Sequence, residues 1–431
     1  MSSAVGKRVV ITGMATINPL GDTLEDYIKN LLSGKSGIRR FESLDLSATD
    51  CKIGGDLGDY DCSGALVKLK DVLGEARFKK IRKLFRPATF SSKVSVLTAL
   101  SAYHDSGLIF EETDPYRIGA IVGGHNLNSN YLLNNGLQFV KEPDFIDALS
   151  GVEGIDPAVP GLITESLDLY GPSFTVGGAC ASGNLALRLG FKDIISGECD
   201  RCVVTGALFD FSSADIYASE FIGAVVSKPE YQDKPETASR PFDKKRAGFV
   251  YSHGAGTLIL EDYALAKARG ARIYAEVLGV MANANANHQP QPNGAMQSRL
   301  IQDLLKHTGI AREEVDYVNC HATGTPVGDI EEIMAIKDAF GPHAYKLKIN
   351  APKSMLGHVC WSAPIVETIG GILQMQAGEL HPTTNLEEPA DEADLDLCAN
   401  KSVKFQSNLM LKNSFGFGGM NSCSLIKRHI E

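Results

Sequence analysis

Gly177-Gly178-Ala179-Cys180-Ala181-Ser182-Gly183-Asn184 joins an extended segment, Ser173 to Val176, to a helical pattern that starts near Ser182. Small residues let the backbone turn sharply here, and repeated passage from strand through tight turn to helix is how layered α/β proteins are built. The spacing places Cys180 at a helix N-terminus, where unpaired N–H groups carry partial positive charge and favour thiolate over thiol. A cysteine nucleophile needs such support. Cys180 can equally be read as one more small buried packing residue. The glycines and alanines around it clear space that packing would not require and a substrate would.

Working outward, β-rich runs recur at Arg8 to Thr12, Ile118 to Val122, Arg201 to Thr205 and Gly256 to Glu261, and again at Arg272 to Val280, Val315 to Cys320, Lys346 to Asn350, Leu409 to Asn413 and Ser422 to Lys427. Helical patterns lie between them at Ser91 to His104, Ser182 to Ser196, Met296 to Thr308 and Ile330 to Phe340. A chain of 431 residues is too long for one ordinary core, so two packed domains or a duplicated fold is expected. Both halves share one rhythm, and the polar stretch from Asp262 to Arg272 is the natural seam, although the letters alone reveal no repeat. Asn283 to Gly294 reads as an ordered loop.

Three later segments carry chemistry. Asn319-Cys320-His321-Ala322-Thr323-Gly324-Thr325 follows a strand, so His321 projects where sites collect in α/β folds. Asn350-Ala351-Pro352-Lys353-Ser354-Met355-Leu356-Gly357-His358 repeats the arrangement with a lysine and a second histidine. A lone histidine at a strand end is commonly structural; two with a lysine argue for a site. Zinc would accept imidazole and thiolate, but the spacing of His321 and His358 fits no common zinc pattern, so no metal is expected. Asn413-Ser414-Phe415-Gly416-Phe417-Gly418-Gly419 lacks the βαβ context of a dinucleotide loop, and its backbone N–H groups suit an oxyanion better.

A formal charge of −10 argues against a general nucleic-acid surface. One basic segment, Phe78 to Arg86, sets Lys79, Lys80, Arg82, Lys83 and Arg86 beside apolar residues at helical spacing; it is either a solvated amphipathic face or a docking site for an acidic partner. The opening residues lack the apolar core of a secretory signal, and no run is long enough to cross a bilayer, so a cytoplasmic location is expected. Nine scattered cysteines read as reduced thiols, with Cys199 and Cys202 a packing pair.

Taken in order, Cys180, His-x-Thr-Gly-Thr from His321, Lys-x-x-x-Gly-His from Lys353, and Asn-Ser-Phe-Gly-Phe-Gly-Gly from Asn413 resemble the β-ketoacyl synthases, with Arg8 to Gly13 similar to the family's opening strand and Ser239 to Asp243 to an internal loop. The resemblance implies an α/β, thiolase-like, five-layered α-β-α-β-α fold of two similar halves, here 1–266 carrying the nucleophile and 267–431 carrying the histidines and lysine. It implies a homodimer, no bound cofactor, no nucleic-acid or membrane partner, and substrates carried on the phosphopantetheine arm of an acyl carrier protein that docks on Lys79 to Arg86. By the same resemblance Cys180 takes the acyl group, N–H groups of Cys180 and Phe417 form the oxyanion hole, and His321 and His358 hold the malonyl thioester carbonyl. Lys353 supports the histidines through Glu332, Thr323 and Thr325 bind pantetheine, and Phe417 or Phe415 gates the acyl pocket.

Some positions depart from the family. Val359-Cys360-Trp361-Ser362-Ala363-Pro364 replaces a small-residue run, and Trp361, the chain's single tryptophan, should take space or reshape a wall beside His358. His253 stands where a glutamate is typical, Pro290 near a pantetheine-contacting threonine, and Gly13-Met14-Ala15 where a Gly-x-Gly is usual. These changes point from fatty-acid elongation toward a free-standing synthase of polyketide or secondary-metabolite synthesis. Two other functions stay open: a malonyl-carrier decarboxylase, in which the nucleophile is commonly replaced, and a non-catalytic partner subunit, which generally loses it. A coenzyme A thiolase is more remote, because Cys423 falls after the C-terminal glycine motif.

Overall fold

The computed structural model describes residues 6–430. Ten strands form its main sheet: β1 (Val9–Ile17), β2 (Ile118–Gly123), β3 (Ser173–Val176), β4 (Arg201–Gly206), β5 (Ala255–Asp262), β6 (Ala275–Ala284), β7 (Tyr317–Asn319), β8 (Lys348–Asn350), β9 (Leu409–Gly416) and β10 (Met420–Arg428). Their spatial order is β8-β7-β9-β10-β6-β1-β5-β4-β2-β3. From its outer edge, each set of five reads third, second, fourth, fifth, first. The directions match too: parallel for the outer two pairings, antiparallel for the inner two. Only the short pairing of Val9 to Ile11 with Ala275 to Val277 joins the two sets. The duplication that the letters hide is therefore plain in the topology.

Two helices lie between the half-sheets, α2 (Ser182–Ser196) and α5 (Ala363–Ala377), each 15 residues long. A mixed apolar core gathers Leu187 and Ile194 of α2 with Ile365, Ile369 and Ile372 of α5 against strand residues of both halves. Outer cores form where α1 (Phe90–Asp105) covers the first half-sheet and where α3 (Gly294–Thr308) and α4 (Gly328–Phe340) cover the second. The result is the expected five layers. Each fully buried Leu or Ile contributes about 1.5–3 kcal/mol, so three such cores fix the layers firmly. α5 leaves no amphipathic stripe in the sequence, because a helix buried all round is apolar on every side.

Both central helices begin after a 3₁₀ turn, Ala179–Ala181 and Cys360–Ser362, and both turns hold a non-glycine residue at positive φ, Ala179 at 47° and Cys360 at 51°. Both helices end on a left-handed glycine, Gly197 and Gly378. This correspondence sets Trp361 at the place of Cys180. It likewise sets His125, two residues beyond β2, at the place of His321, two residues beyond β7.

Candidate active site

Cys180 sits mid-turn between β3 and α2, and the turn following β9 closes on it. A Cβ on Gly416 would lie 2.6 Å from the Gly178 oxygen and 3.1 Å from the Cys180 nitrogen, so only glycine allows this approach. The approach brings the Phe417 N–H, together with that of Cys180 itself, onto the sulfur. Two donors thus converge on one point. Even so, burial pushes the thiol up to about 11, outweighing Lys353 and those N–H groups. This corrects the expectation that the helix start favours a thiolate, because the sulfur is shielded from water more than the dipole can repay. Alkylation of Cys180 by iodoacetamide should accordingly climb about tenfold per pH unit from pH 7 to 10. A plateau below pH 8 would show a preformed thiolate.

His321 leaves the end of β7, and its backbone is clamped from two sides. Its N–H and that of Ala322 donate to the two Glu332 oxygens at 2.9 and 2.8 Å, and its carbonyl accepts from Lys353 Nζ at 2.6 Å. His358 follows Gly357, whose φ of +70° turns the chain, and its N–H donates to the Val250 carbonyl at 2.7 Å. The two rings stand edge to face with centroids 5.6 Å apart. One ring nitrogen of each and the Cys180 sulfur all lie within 4.8 Å of one another. Both imidazoles are held neutral, first by burial and then by the nearby Lys353 ammonium. Both ring nitrogens of His358 are buried without a protein partner, which leaves them free for a substrate oxygen. This trio would also offer metal ligands, but the adjacent Lys353 cation opposes a dication there.

Lys353 does not reach Glu332. Its Nζ lies 2.6 Å from Glu367 Oε1, and Lys412 Nζ lies 2.7 Å from Glu367 Oε2, with all three side chains buried. Glu332 instead holds the His321 loop and accepts from Asn413 Nδ2 at 2.9 Å. The expected Lys353–Glu332 link is thus replaced by a Lys353–Glu367–Lys412 chain. The reason is that α5 passes directly beneath the lysine, while α4 presents its acid to the backbone. Glu367 and Lys412 went unnoticed in the sequence; the available signal was a charge inside an otherwise apolar run, which marks a buried pair.

These groups open on a cavity of about 830 Å³. Thr323 and Thr325 line it, with hydroxyls 3.2 Å apart, and Pro290 forms part of its wall. Phe415 is buried beside His321, with centroids 5.9 Å apart, whereas Phe417 is 43 % exposed and lines the cavity. Trp361 lines it too. His253 does not: its ring stacks on Phe211 at 4.3 Å, its Nδ1 accepts from the Leu57 N–H, and burial lowers it to about 4.

In the helix Lys70–Leu84, Lys79 pairs with Glu75 and Lys80 with Asp168, while Phe78 and Ile81 face inward. Lys79, Arg82, Lys83 and Arg86 are exposed, and Lys80 is half-buried in its ion pair. All nine cysteines are unpaired. No helix among the described residues is long and apolar enough to cross a membrane.

The N-terminal domain model of β-ketoacyl synthases matches residues 6–266 and the C-terminal domain model residues 274–387. The chain belongs to the β-ketoacyl synthase family. This synthase is 33% identical to the polyketide biosynthesis malonyl-ACP decarboxylase PksF of Bacillus subtilis, over 97% of its own length and 96% of that protein. It is also 33% identical to 3-oxoacyl-[acyl-carrier-protein] synthase 2 of Coxiella burnetii, over 98% and 99% of the two chains. Among solved structures, the ishigamide ketosynthase/chain length factor superposes with a TM-score of 0.87 at 27% identity, covering 98% of this chain and 100% of that one. A type II polyketide ketosynthase in complex with its acyl-carrier protein and bound to a hexaketide reaches 0.85 at 27% identity, covering 98% and 100%. The thiolase-like fold and the class of enzyme, an acyltransferase, follow from that membership.

Proposed function

We propose that this synthase receives an acyl group from an acyl carrier protein on Cys180 and condenses it with a malonyl carrier thioester in polyketide assembly. The observation that carries this reading is the meeting of one sulfur and two neutral imidazoles within 4.8 Å. The Cys180 sulfur attacks the acyl thioester carbonyl, the N–H groups of Cys180 and Phe417 hold the oxyanion, and the carrier thiol departs with the proton. A malonyl thioester then enters along Thr323 and Thr325. His321 and His358, being neutral, each donate one N–H to its carbonyl. The carboxylate leaves as carbon dioxide, the electron pair it leaves behind forms the enolate, and the α-carbon attacks the acyl-Cys180 carbonyl, expelling the thiolate. Lys353 positions the histidines through the His321 carbonyl, Glu332 fixes the His321 loop, and Phe417 gates the pocket. The halves are taken as 1–266 and 267–431. Intact-mass analysis of acyl and malonyl carrier thioesters after exposure to the enzyme tests the scheme. An acyl adduct on Cys180 followed by a β-keto carrier supports it, and malonyl turnover without any adduct overturns it.

The likeness to PksF favours a second reading, decarboxylation of the malonyl carrier without condensation. Retention of Cys180 speaks for the first, and against a non-catalytic partner subunit. Reduced thiols throughout suit a cytoplasmic site of action.

Two surfaces support the proposed partners. β3 is an edge strand, paired with β2 on one side only, with Phe174 exposed, and the helix Ser129–Lys141 has no buried residue and exposes Leu137, Phe139 and Val140. An open sheet edge and an exposed apolar helix face both fit a second copy of this chain. For the acidic carrier, Lys79, Arg82, Lys83 and Arg86 supply positive charge that Lys80, tied to Asp168, supplies less freely. Lys83→Glu with Arg86→Glu should raise KM for the carrier about tenfold with little change in kcat, the loss shrinking at high salt. An unchanged KM would leave that helix as a solvated face.

A further inference from the structure

One part of the cavity lining is aromatic, formed by His125 and Trp361. Trp361 stacks on His125 with centroids 4.3 Å apart, and on its other side meets Phe209 at 4.9 Å. Phe209 in turn meets Phe211 at 5.8 Å, and Phe211 stacks on His253 at 4.3 Å. Five rings thus make one continuous column from the nucleophile's cavity into the core, where Phe209 and Phe211 are buried. Trp361 and His253, two of the positions that depart from the family pattern, are members of the same column.

The column flanks Cys180 closely. A Cβ on Gly177 would lie 3.1 Å from His125 Cβ, and one on Gly183 would lie 3.1 Å from the Trp361 carbonyl. Cys180 stands midway between those glycines, three residues from each. The half-to-half correspondence gives the same picture. The rings of His125 and Trp361 stand at the places that His321 and Cys180 hold in the other half, and they fill that space with their own stack.

Resting on the acyl-transfer reading, we infer that the Trp361–His125–Phe209 stack is the end wall of the acyl pocket and restricts Cys180 to short acyl groups, of the acetyl-to-butyryl class. The carrier arm occupies the mouth beside Thr323 and Thr325, so the acyl tail points inward toward this wall. A longer alkyl tail has to part rings that are packed on both faces, and close-packed interiors yield poorly to added methylenes. The product of such an enzyme is a short β-ketoacyl carrier, so the reaction class that consumes it must act on small oxygenated acyl units.

The test is a loading assay on the full-length enzyme with acetyl, butyryl and octanoyl carrier thioesters, read as the mass adduct on Cys180. Octanoyl loading is expected roughly 100-fold slower than acetyl, and Trp361→Ala and His125→Gly should each raise the octanoyl-to-acetyl ratio. Octanoyl loading as fast as acetyl on the wild-type enzyme overturns the wall, and needs no variant to fold. A wild-type preference for acetyl that both folded variants retain also overturns the assignment to these rings. Absence of any adduct from all three thioesters instead overturns the acyl-transfer reading on which the inference rests.

Discussion

Cys180→Ala is expected to abolish the acyl-enzyme and to lower β-keto product formation by about 10³-fold or more, while carbon dioxide release from the malonyl carrier survives. The two effects separate because the two chemistries use different atoms. Acyl transfer needs the sulfur as an electron-pair donor, and the other cysteine on the cavity, Cys360, is buried with its Sγ toward the His358 carbonyl. Decarboxylation needs only N–H donors aimed at the thioester carbonyl. His321 and His358 are held by Glu332, Lys353 and the Val250 carbonyl, and none of those contacts involves Cys180. Mass spectrometry of acyl and malonyl carrier proteins reads both activities in one sample. Loss of decarboxylation along with condensation would mean that the histidines do not act independently of the sulfur. Persistence of the β-keto product would remove Cys180 from the reaction altogether.

The second large effect falls on the fold. Glu367→Gln removes the carboxylate that Lys353 and Lys412 share, and leaves two ammonium groups buried between the half-sheets. Breaking a buried pair by deleting one partner costs about 3–5 kcal/mol. Here the cost is not relieved by moving either lysine into water, since both side chains are at most 1 % exposed. Lys412 is already biased toward its neutral form, chiefly by burial. The denaturant midpoint of Glu367→Gln should therefore fall markedly, and the protein should lose activity through the displaced His321 carbonyl as well. Glu367→Asp, which keeps the charge and shortens the reach, should recover part of the stability. A glutamine variant within about 1 kcal/mol of wild type would show that the chain of charges is not what anchors the site.

Much of the candidate site could be read before the structure, because each candidate residue follows a strand inside a short motif of its own. His321, Lys353, His358 and Cys180 announce themselves by glycines and small residues that no packing argument requires. Glu332, expected as the partner of Lys353, is not that partner, since Lys353 pairs with Glu367. The hydrogen bonds of Glu332 run to main-chain N–H groups, and side-chain letters say nothing about which backbone atoms will lie within reach. Trp361 was legible as an intruder beside His358, but its stacking on His125, 236 positions earlier in the chain, was not. The basic helix shows the same limit. Its charges were countable, yet only the fold brings Asp168 against Lys80.

By itself the sequence determined the alternation of strands and helices, the candidate nucleophile and imidazoles, and the family, since periodicity and turn chemistry are local and are written in neighbouring residues. Tertiary structure decided which charges share a buried carboxylate, how the thiol's proton is held, and what fills the space beyond Cys180. Those outcomes depend on desolvation and on contacts between residues from different elements of the chain, and both come into being only when the two half-sheets close on α2 and α5.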